Sequence, residues 1–401
     1  MIKRKQYLKK IEKYINLELV KVITWIRRSG KTYFMKQIIN ILLNKFSVNK
    51  SNIINIDKED LQFDFIKNYS DLYNYIEEKT KNLKWKIYLF IDEIQDIIEW
   101  EKTVRNYAKN NNFDIYITGS NSNLLSWELS TYLTWRYIEF HIYPLNFKEF
   151  LEFRKISDKN KIKQEFKNYI KYGGLPAIHK IEFSDELIFS YISWVFNSIL
   201  FKDIVARYNI RNASLLLDIF KFLWDNIWNI ISSKNISDYL KKEKINLSLD
   251  SIREYLWYFE NTFLLNKVKR YDIKWKRLLE LYEKYYLWDL WFKNYLLWYR
   301  ENDIGQYLEN IVYLELLTRW YEVNIWKVNN LEVDFIAKKD WKLEYFQVTY
   351  LLASKETIKR EFWVFDKIKD NYPKTVLSMD EFFTENYNWI KRKNIIDWCL
   401  N

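Results

Sequence analysis

The chain has little cysteine and little histidine. Its 401 residues include one cysteine, Cys399, and two histidines, His141 and His179. A single cysteine excludes a disulfide within the chain and any cysteine-based zinc site, and two histidines argue against a histidine-rich metal centre. The shortage of cysteine favours a reducing, cytoplasmic location.

Long apolar stretches are also missing. No run of 18 apolar residues occurs, and the N-terminus is basic, so neither a membrane span nor a cleaved signal peptide is predicted. The 64 Lys and Arg outnumber the 53 Asp and Glu, which gives a formal charge of +11. That excess favours anionic partners such as nucleotides or nucleic acid, although a solvated lysine-rich surface explains it equally well.

Glycine is the most informative shortage. At a usual frequency of about 7%, a chain of this length should contain roughly 28 glycines. It has 5, against 19 tryptophans. Several tryptophans stand where the backbone favours glycine. Trp341 follows Asp340 between two alternating apolar runs, as Gly does in an Asp-Gly hairpin turn, Trp389 follows Asn388 in a similar way, and Trp320 follows a predicted helix, at the usual place of a glycine C-cap.

These positions lead to a hypothesis about translation. We hypothesise that most of the tryptophans are UGA codons that the organism translates as glycine. Local context assigns roughly 15 of them to this class, because they occupy turns and loops that need glycine's backbone freedom. Trp100 and Trp398 are predicted to be true tryptophans, while Trp224 and Trp257 are undecided.

A nucleotide-binding motif follows the first predicted strand, residues 19–24. Residues 25–32 are W-I-R-R-S-G-K-T, which becomes the Walker A pattern G-x-x-x-x-G-K-T if Trp25 is glycine, and a predicted helix follows at 33–43. In that pattern, loop N–H groups and the helix N-terminus bind phosphates, Lys31 reaches the β- and γ-phosphates, and Thr32 ligates Mg²⁺. The predicted ATP-binding residues are Trp25, Ile26, Arg27, Arg28, Ser29, Gly30, Lys31 and Thr32.

Two later strands supply further candidates. The apolar run 86–91 ends in Asp92 and Glu93, which we predict to bind Mg²⁺ through water and to activate the attacking water as general base, respectively. The strand 113–117 ends in T-G-S-N, so Ser120 or Asn121 is predicted to sense the γ-phosphate. Arg136 is a candidate arginine finger or sensor, with a surface ion pair as the alternative.

Together these segments resemble prokaryotic AAA+ ATPases that carry a C-terminal DUF4143 region. The resemblance rests on the Walker A segment, on F-I-D-E-I-Q at 90–95, I-T-G-S-N-S at 117–122, Y-P-L-N-F-K-E-F at 143–150, Y-G-G-L-P at 172–176 and L-E-N-I-V-Y at 308–313. It covers essentially the whole chain, and nearly all departures are tryptophan where the family has glycine. It implies ATP and Mg²⁺ as ligands.

We expect an α/β protein of four parts: a P-loop AAA+ core at 1–150, a helical lid at 151–210, a winged-helix-like domain at 211–278, and a PD-(D/E)XK nuclease-like domain at 279–401. The winged helix is predicted from helices at 237–241 and 251–259 and from strands at 264–268 and 270–273. Its Ser251 and Arg253 would enter a DNA groove, and Lys267, Lys269 and Arg270 would contact phosphates. A packing or protein-interaction role fits the same pattern.

The nuclease-like layout is predicted from Glu309 on a helix, Asp334 on a strand and Gln347 on the next strand. In active nucleases of this type, carboxylates bind Mg²⁺ and a lysine two residues after the last ligand orients the water. Here that position is Thr349, so we expect a nuclease-like fold without nuclease activity.

The predicted function is a Mg²⁺-dependent ATPase whose nucleotide state positions the C-terminal domains on an unknown protein partner or on DNA. One alternative is an ATP-regulated DNA nuclease of defence or toxin type, in which Glu309, Asp334 and Gln347 bind the metal. The other is a scaffold that binds nucleotide without hydrolysing it. The sequence predicts neither the oligomeric state nor whether Arg136 acts on its own chain.

Overall fold

A computed structural model describes residues 2–24, 26–120, 136–226, 233–242, 244–272, 277–297, 299–328, 331–352, 355–381 and 389–401. The chain divides into two compact units. Unit 1 comprises Met1–Tyr143 with Asn261–Phe263, and unit 2 comprises Pro144–Glu260 with Leu264–Asn401. The predicted lid, winged-helix and nuclease-like regions thus fall almost entirely in one unit, and the four-part division stays a prediction.

Unit 1 is a parallel α/β structure. Its five strands are all parallel, in the order β2-β3-β4-β1-β5. The elements are α1 (Lys5–Glu12), β1 (Val20–Thr24), α2 (Lys31–Asn44), β2 (Ile53–Asp57), α3 (Tyr69–Thr80), β3 (Ile87–Asp92), α4 (Trp100–Tyr107), β4 (Phe113–Gly119) and β5 (Tyr137–His141). The α/β class predicted for this part of the chain is confirmed.

Burial on both faces explains the apolar sequences of the central strands of this sheet. Every residue of β1 and β3 is buried, as is all of β4 after its first residue. Strands covered on both faces carry continuous apolar runs instead of alternating ones, which is the pattern at 87–91. The apolar core includes Ile56, Leu89, Ile91 and Ile117. Polar side chains at the carboxyl ends of these strands therefore stand out as exceptions.

Unit 2 contains a second sheet and most of the helices. Its helices are α5 (Phe147–Arg154), α6 (Lys159–Tyr172), α7 (Asp185–Ser198, continued by a π-helix at Ile199–Ala206), α8 (Ala213–Asn226), α9 (Ser233–Lys242), α10 (Leu249–Asn261), α11 (Trp291–Leu297), α12 (Ile304–Thr318), α13 (Lys355–Asp366) and α14 (Ile395–Leu400). Its strands are β6 (Leu265–Asp272), β7 (Arg277–Leu287), β8 (Glu322–Val328), β9 (Leu331–Lys339), β10 (Lys342–Val348), β11 (Lys374–Ser378) and β12 (Lys391–Asn394).

The seven strands of unit 2 form one mixed sheet in the order β12-β11-β10-β9-β8-β6-β7. Strands β8, β9 and β10 are antiparallel neighbours, and β10 pairs in parallel with β11 after the crossover helix α13. The hairpin β6-β7 joins the same sheet through the parallel pair Arg270↔Ile325. Where two short strands were predicted at 264–268 and 270–273, one strand, β6, runs through with an irregularity between Val268 and Arg270.

Two of the retained glycines lie where a side chain would not fit. Gly173 ends α6 with φ +71°, in the left-handed region. A Cβ at Gly174 would lie 2.4 Å from the Leu145 carbonyl oxygen. The Gly174 N–H donates to both carboxylate oxygens of Asp289, at 2.9 and 3.0 Å. Burial raises the pKa of Asp289 to about 7, and hydrogen bonds from the backbone N–H groups of Gly174, Leu290 and Trp291 oppose that rise.

One helical segment in the described part of the chain, Asp185–Ala206, is long and apolar enough to cross a membrane. Length and composition are the only basis for this observation, and core helices of soluble proteins meet the same criterion. Ile188, Ile192 and Val195 on this segment are buried. The predicted absence of a membrane span therefore stays a prediction.

The backbone conformation bears on the translation hypothesis at two tryptophans. Trp320 has φ +67° and Trp341 has φ +66°. Both angles lie in the left-handed region of the backbone, which residues other than glycine adopt only at an energetic cost. Trp341 is also 91% exposed at the turn between β9 and β10, so its indole contributes almost no burial. These conformations are those that glycine accommodates best.

We expect Trp320→Gly and Trp341→Gly each to raise the free energy of unfolding by about 1 kcal/mol. The reason is that relief of the strained left-handed backbone outweighs the conformational entropy that glycine adds to the unfolded chain. The measurement is urea denaturation of each variant beside the parent chain. Trp398→Gly is the matched control. This side chain is 7% exposed and its ring lies under the Arg319 guanidinium, so its loss should destabilise by about 4 kcal/mol. Destabilisation by Trp341→Gly would contradict the account.

Candidate ATP-binding site

The loop after β1 leads directly into the N-terminus of α2. Gly30 is the N-cap residue, and its φ of 102° explains why glycine stands there. Because Gly30 has no side chain to cap the helix, the first N–H groups of α2 receive no side-chain acceptor from that position. Ser29 is fully buried, and its hydroxyl has no hydrogen-bond partner among the residues that the structure describes. Unsatisfied donors at a helix N-terminus form a ready anion site.

Lys31 places a positive charge next to this loop. Its side chain is 4% exposed, and its Nζ donates to the carbonyl oxygen of Ile26 at 3.2 Å. The same Nζ lies 3.9 Å from Glu93 Oε1. The ammonium therefore lies between the loop and the carboxylate that was predicted to activate water.

Asp92 is the last residue of β3 and is held by hydroxyl groups from two other elements. The Thr118 hydroxyl on β4 donates to Asp92 Oδ1, and the Thr32 hydroxyl at the start of α2 also bonds this carboxylate. Burial raises the pKa of Asp92, and the hydrogen bonds from Thr118 and Thr32 oppose that rise. A hydroxyl and a carboxylate side by side are oxygen ligands of the kind that Mg²⁺ takes.

Glu93 follows Asp92 with a left-handed backbone, φ 51°. Its N–H donates to Thr118 Oγ1 at 3.1 Å, and its Oε2 accepts from Gln95 Nε2 at 2.5 Å. Burial opposes ionisation of the Glu93 carboxyl group, but the charges of Lys31 and Arg27 together with hydrogen bonds from Gln95 and Ser120 outweigh it and lower the pKa. Glu93 is therefore held as a carboxylate that can accept a proton.

Arg27 adds a second cation to this region. Its side chain is buried within the loop, and its Nη1 lies 3.1 Å from Glu59 Oε1, just beyond the carboxyl end of β2. Arg28 beside it is exposed and has φ 69°. The positive charges of Lys31 and Arg27 thus lie on the same edge of the sheet as Asp92 and Glu93.

The remaining predicted residues have different outcomes. Ser120 is buried directly after β4, and its hydroxyl helps to lower the pKa of Glu93. Trp25 and Asn121 lie outside the described residues. Arg136 lies at the opposite edge of the sheet, because its carbonyl accepts from the N–H of Val20, the first residue of β1. The length of β1 separates the two edges by about 13 Å at 3.3 Å per residue, so the backbone of Arg136 lies at the far end of β1 from the loop that precedes α2.

Thr118 is the residue that sequence reasoning missed. It connects Asp92 with the backbone of Glu93, whereas Ser120 and Asn121 were the residues predicted from this strand end. The signal was present: Thr118 is a polar side chain near the carboxyl end of a strand whose residues are all buried after the first. In register, β4 lies between β1 and β3, which places Thr118 beside the end of β3.

In unit 2 the structure brings the three nuclease-like residues to one region. The Asp334 N–H donates to Gln347 Oε1 at 3.3 Å, and Glu309 on α12 bonds Tyr286 and Lys284 of β7. Thr349, at the expected lysine position, donates its N–H to the Leu377 carbonyl. Within the described ranges no group of three His, Cys, Asp or Glu side chains is arranged to hold a metal ion.

The predicted DNA-contacting residues lie on α10 and β6. Ser251 and Arg253 are on α10, and Arg253 is exposed with its Nη1 2.9 Å from Asp250. Lys267, Lys269 and Arg270 are on β6. Helices α8 and α10 pack together through Phe220 and Phe259, whose ring centroids are 3.8 Å apart.

Comparison with known proteins finds two family models that match parts of the chain and a solved structure with a similar fold. Residues 18–151 match the model of an AAA domain, and residues 163–303 match a domain of unknown function, DUF8612. The prediction of a DUF4143 region is therefore wrong, since the matched domain is a different one. The Walker-type ATPase paby2304 of Pyrococcus abyssi has a similar fold, with a TM-score of 0.52 and 15% identity over 74% of this chain and 96% of that one.

Two relatives match at higher identity. An uncharacterized protein of Haemophilus influenzae is 34% identical over 100% of this chain and 99% of its own length. The uncharacterized protein MJ1544 of Methanocaldococcus jannaschii is 36% identical over 88% of this chain and 79% of its own length. The chain therefore belongs to the same protein family as these two relatives, and its first unit is an AAA-type ATPase domain.

Proposed function

We propose that unit 1 binds ATP together with Mg²⁺ and hydrolyses it. The observation that carries this proposal is the convergence of Lys31, Thr32, Asp92, Glu93 and Thr118 at the carboxyl edge of one parallel sheet. The uncapped N-terminus of α2 and the unpartnered Ser29 hydroxyl lie beside them. Helix N-termini and loop N–H groups bind phosphates, while lysine neutralises their charge.

Mg²⁺ fits the chemistry of two neighbouring side chains. The Thr32 hydroxyl and the Asp92 carboxylate already bond each other, so an oxygen-liganded cation would lie next to the loop that receives the phosphates. When bound, the metal would neutralise charge on the β- and γ-phosphates. Thr118 keeps Asp92 oriented, which would set the position of the metal or its water.

Glu93 supports the proton transfer. In the proposed step, Glu93 takes a proton from water while the water oxygen bonds to the γ-phosphorus and the bond to the ADP oxygen breaks. The lowered pKa keeps the carboxylate ionised before the step. Gln95 and Lys31 hold that carboxylate in place, and Ser120 is a candidate for contact with the γ-phosphate. The position of the Arg136 backbone at the opposite edge of the sheet favours a role at the nucleotide of a neighbouring chain.

Glycine at position 25 is part of the same proposal. The Walker A pattern is complete only with glycine there, and the glycine-like backbone angles at Trp320 and Trp341 support the translation hypothesis elsewhere in the chain.

The four cationic candidates Arg253, Lys267, Lys269 and Arg270, together with the net charge of +11, support DNA as a partner of unit 2. A protein partner in the cytoplasm is the alternative.

Loss of the Lys31 ammonium tests the site. We expect Lys31→Ala to weaken binding of Mg²⁺-ATP at least about 100-fold, since a charge-assisted contact to phosphate is lost in a partly desolvated site. Calorimetric titration of both proteins measures this, and Lys45→Ala, an exposed lysine on the same unit, is the control. Equal affinity of Lys31→Ala and the parent would contradict the proposal.

Phosphate release in the same preparation distinguishes the alternatives. Binding without release would favour the non-hydrolysing scaffold. Release that duplex DNA stimulates would support DNA as the partner, because the second unit would then signal to the first. Release that no DNA changes would favour a protein partner.

A further inference from the structure

A buried lysine lies among carboxylates in unit 2. Lys284, on β7, is 4% exposed. Its Nζ lies 2.6 Å from Glu309 Oε1 on α12 and 2.9 Å from Glu332 Oε1 on β9. Two strands and a helix therefore meet at a single ammonium group, and we name Lys284, Glu309, Glu332 and Asp334 the Lys284 cluster.

Asp334 belongs to the cluster by charge. It lies on β9 two residues after Glu332 and is buried. Burial and the charge of Glu309 raise the pKa of its carboxyl group, and the Lys284 ammonium opposes that rise. One of its oxygens, Oδ2, already accepts from the Val348 N–H at 2.7 Å. Glu309 Oε1 also accepts from the Tyr286 hydroxyl at 2.5 Å. Each of these two carboxyl groups thus also accepts a hydrogen bond from the protein.

Gln347 is likewise committed to protein contacts. Its Oε1 accepts from the Asp334 N–H at 3.3 Å, and its Nε2 donates to Glu361 Oε2 at 3.0 Å. Glu361 in turn pairs with Arg360 at 2.7 Å. The third ligand expected of a metal-dependent nuclease is therefore part of a side-chain network on β10 and α13.

The charges of the cluster require a cation. Carboxylates brought together in a largely buried site repel one another unless a positive charge lies between them. A buried ammonium is equally unfavourable unless it is paired. Lys284 supplies that positive charge from within the chain, at the distances of charge-assisted hydrogen bonds to Glu309 and Glu332.

We propose that the Lys284 ammonium is the built-in cation of this cluster, that it takes the place of the divalent metal in an active nuclease of this type, and that a divalent cation enters the cluster only when the ammonium is removed. Unit 2 then keeps its fold without metal and does not cleave DNA. This proposal is independent of ATP hydrolysis by unit 1.

Manganese is the probe, and the protein is nucleotide-free. Electron paramagnetic resonance counts free Mn²⁺ during titration of the full chain. At Mn²⁺ concentrations up to about 1 mM, the parent is expected to bind no Mn²⁺ at the cluster. Lys284→Ala is expected to gain one Mn²⁺ site whose dissociation constant is at least about tenfold below that concentration. The midpoint of thermal unfolding of Lys284→Ala should fall below that of the parent and rise again by several degrees in Mn²⁺.

Two controls assign the gained site. Lys284→Arg keeps a cation in the cluster and should gain no site, while the double variant Lys284→Ala with Asp334→Asn should lose the gain. If Lys284→Ala does not fold, Lys284→Gln removes the charge but keeps a hydrogen-bond donor, and the same titration applies to it.

Three results would overturn the proposal. The first is a Mn²⁺ site in the parent that Glu309→Gln abolishes. The second is a folded, uncharged Lys284 variant that gains no site. The third is Mg²⁺-dependent nicking of supercoiled plasmid by the parent that Asp334→Ala abolishes, because it would show that the cluster holds a catalytic metal beside Lys284.

Discussion

Trp25→Gly is expected to increase the rate of ATP hydrolysis by about 100-fold over the chain with tryptophan at position 25. An effect of this size is similar to the change in kcat when one hydrogen-bond donor to a developing anion is removed or restored. The Walker A loop binds phosphate through successive backbone N–H groups, and its first glycine lets the backbone approach the phosphates closely. An indole at that position would fill the space that the phosphates need. The measurement is the release of inorganic phosphate at saturating Mg²⁺-ATP.

The control for this prediction is the same exchange elsewhere in unit 1. Trp85 is 80% exposed and precedes β3, at the edge of the sheet opposite the loop. Trp85→Gly should leave the rate of hydrolysis within about twofold, since exposed positions away from special features have small effects. Equal rates for Trp25→Gly and its parent would contradict both the glycine assignment at position 25 and the proposed geometry of the loop.

The second prediction concerns the general base. Glu93→Gln should lower kcat by about 10²–10⁴-fold, the usual contribution of general acid–base catalysis, while ATP still binds. The amide has nearly the same shape as the carboxylate but does not accept the proton of the attacking water. Because the substitution also removes a negative charge near Lys31, ATP affinity is expected to stay equal or rise. Single-turnover hydrolysis and nucleotide titration separate the two effects.

Glu99→Gln is the matched control for this substitution. Glu99 is exposed and its contact is an ion pair with Lys102 at 2.7 Å, so its conversion to glutamine should leave kcat unchanged. Undiminished hydrolysis by Glu93→Gln would remove Glu93 from the mechanism. Parallel losses of ATP binding and kcat would instead indicate that Glu93 supports the fold of the site.

The sequence signals of the candidate ATP site are local. Continuous apolar runs mark the buried strands, and the polar residues at their ends, Asp92 and Glu93, fall at the edge where a parallel sheet places its ligand. The helix after Gly30 follows from the same segment. These features depend on residues that are close together along the chain, and a single sequence shows them directly.

What the sequence did not predict depends on pairing between distant segments. Arg136 was assigned to the site from its motif, but the register of β5 on β1 places it at the opposite edge. Lys284 lies 48 residues before Glu332, its ion-pair partner, and nothing in the spacing indicates that β7 brings it there. The hairpin β6-β7 likewise joins the second sheet through one parallel pair that no local pattern shows.

The most direct test of the account is phosphate release from ATP by the chain with glycine at the suspected positions, measured with Mg²⁺ and with the metal removed by EDTA. The account predicts steady release with Mg²⁺, its loss with EDTA, and its loss in the same chain carrying Lys31→Ala. Release that persists in Lys31→Ala, or none in the unaltered glycine chain, would contradict the claim that this edge of the parallel sheet is a working ATPase site.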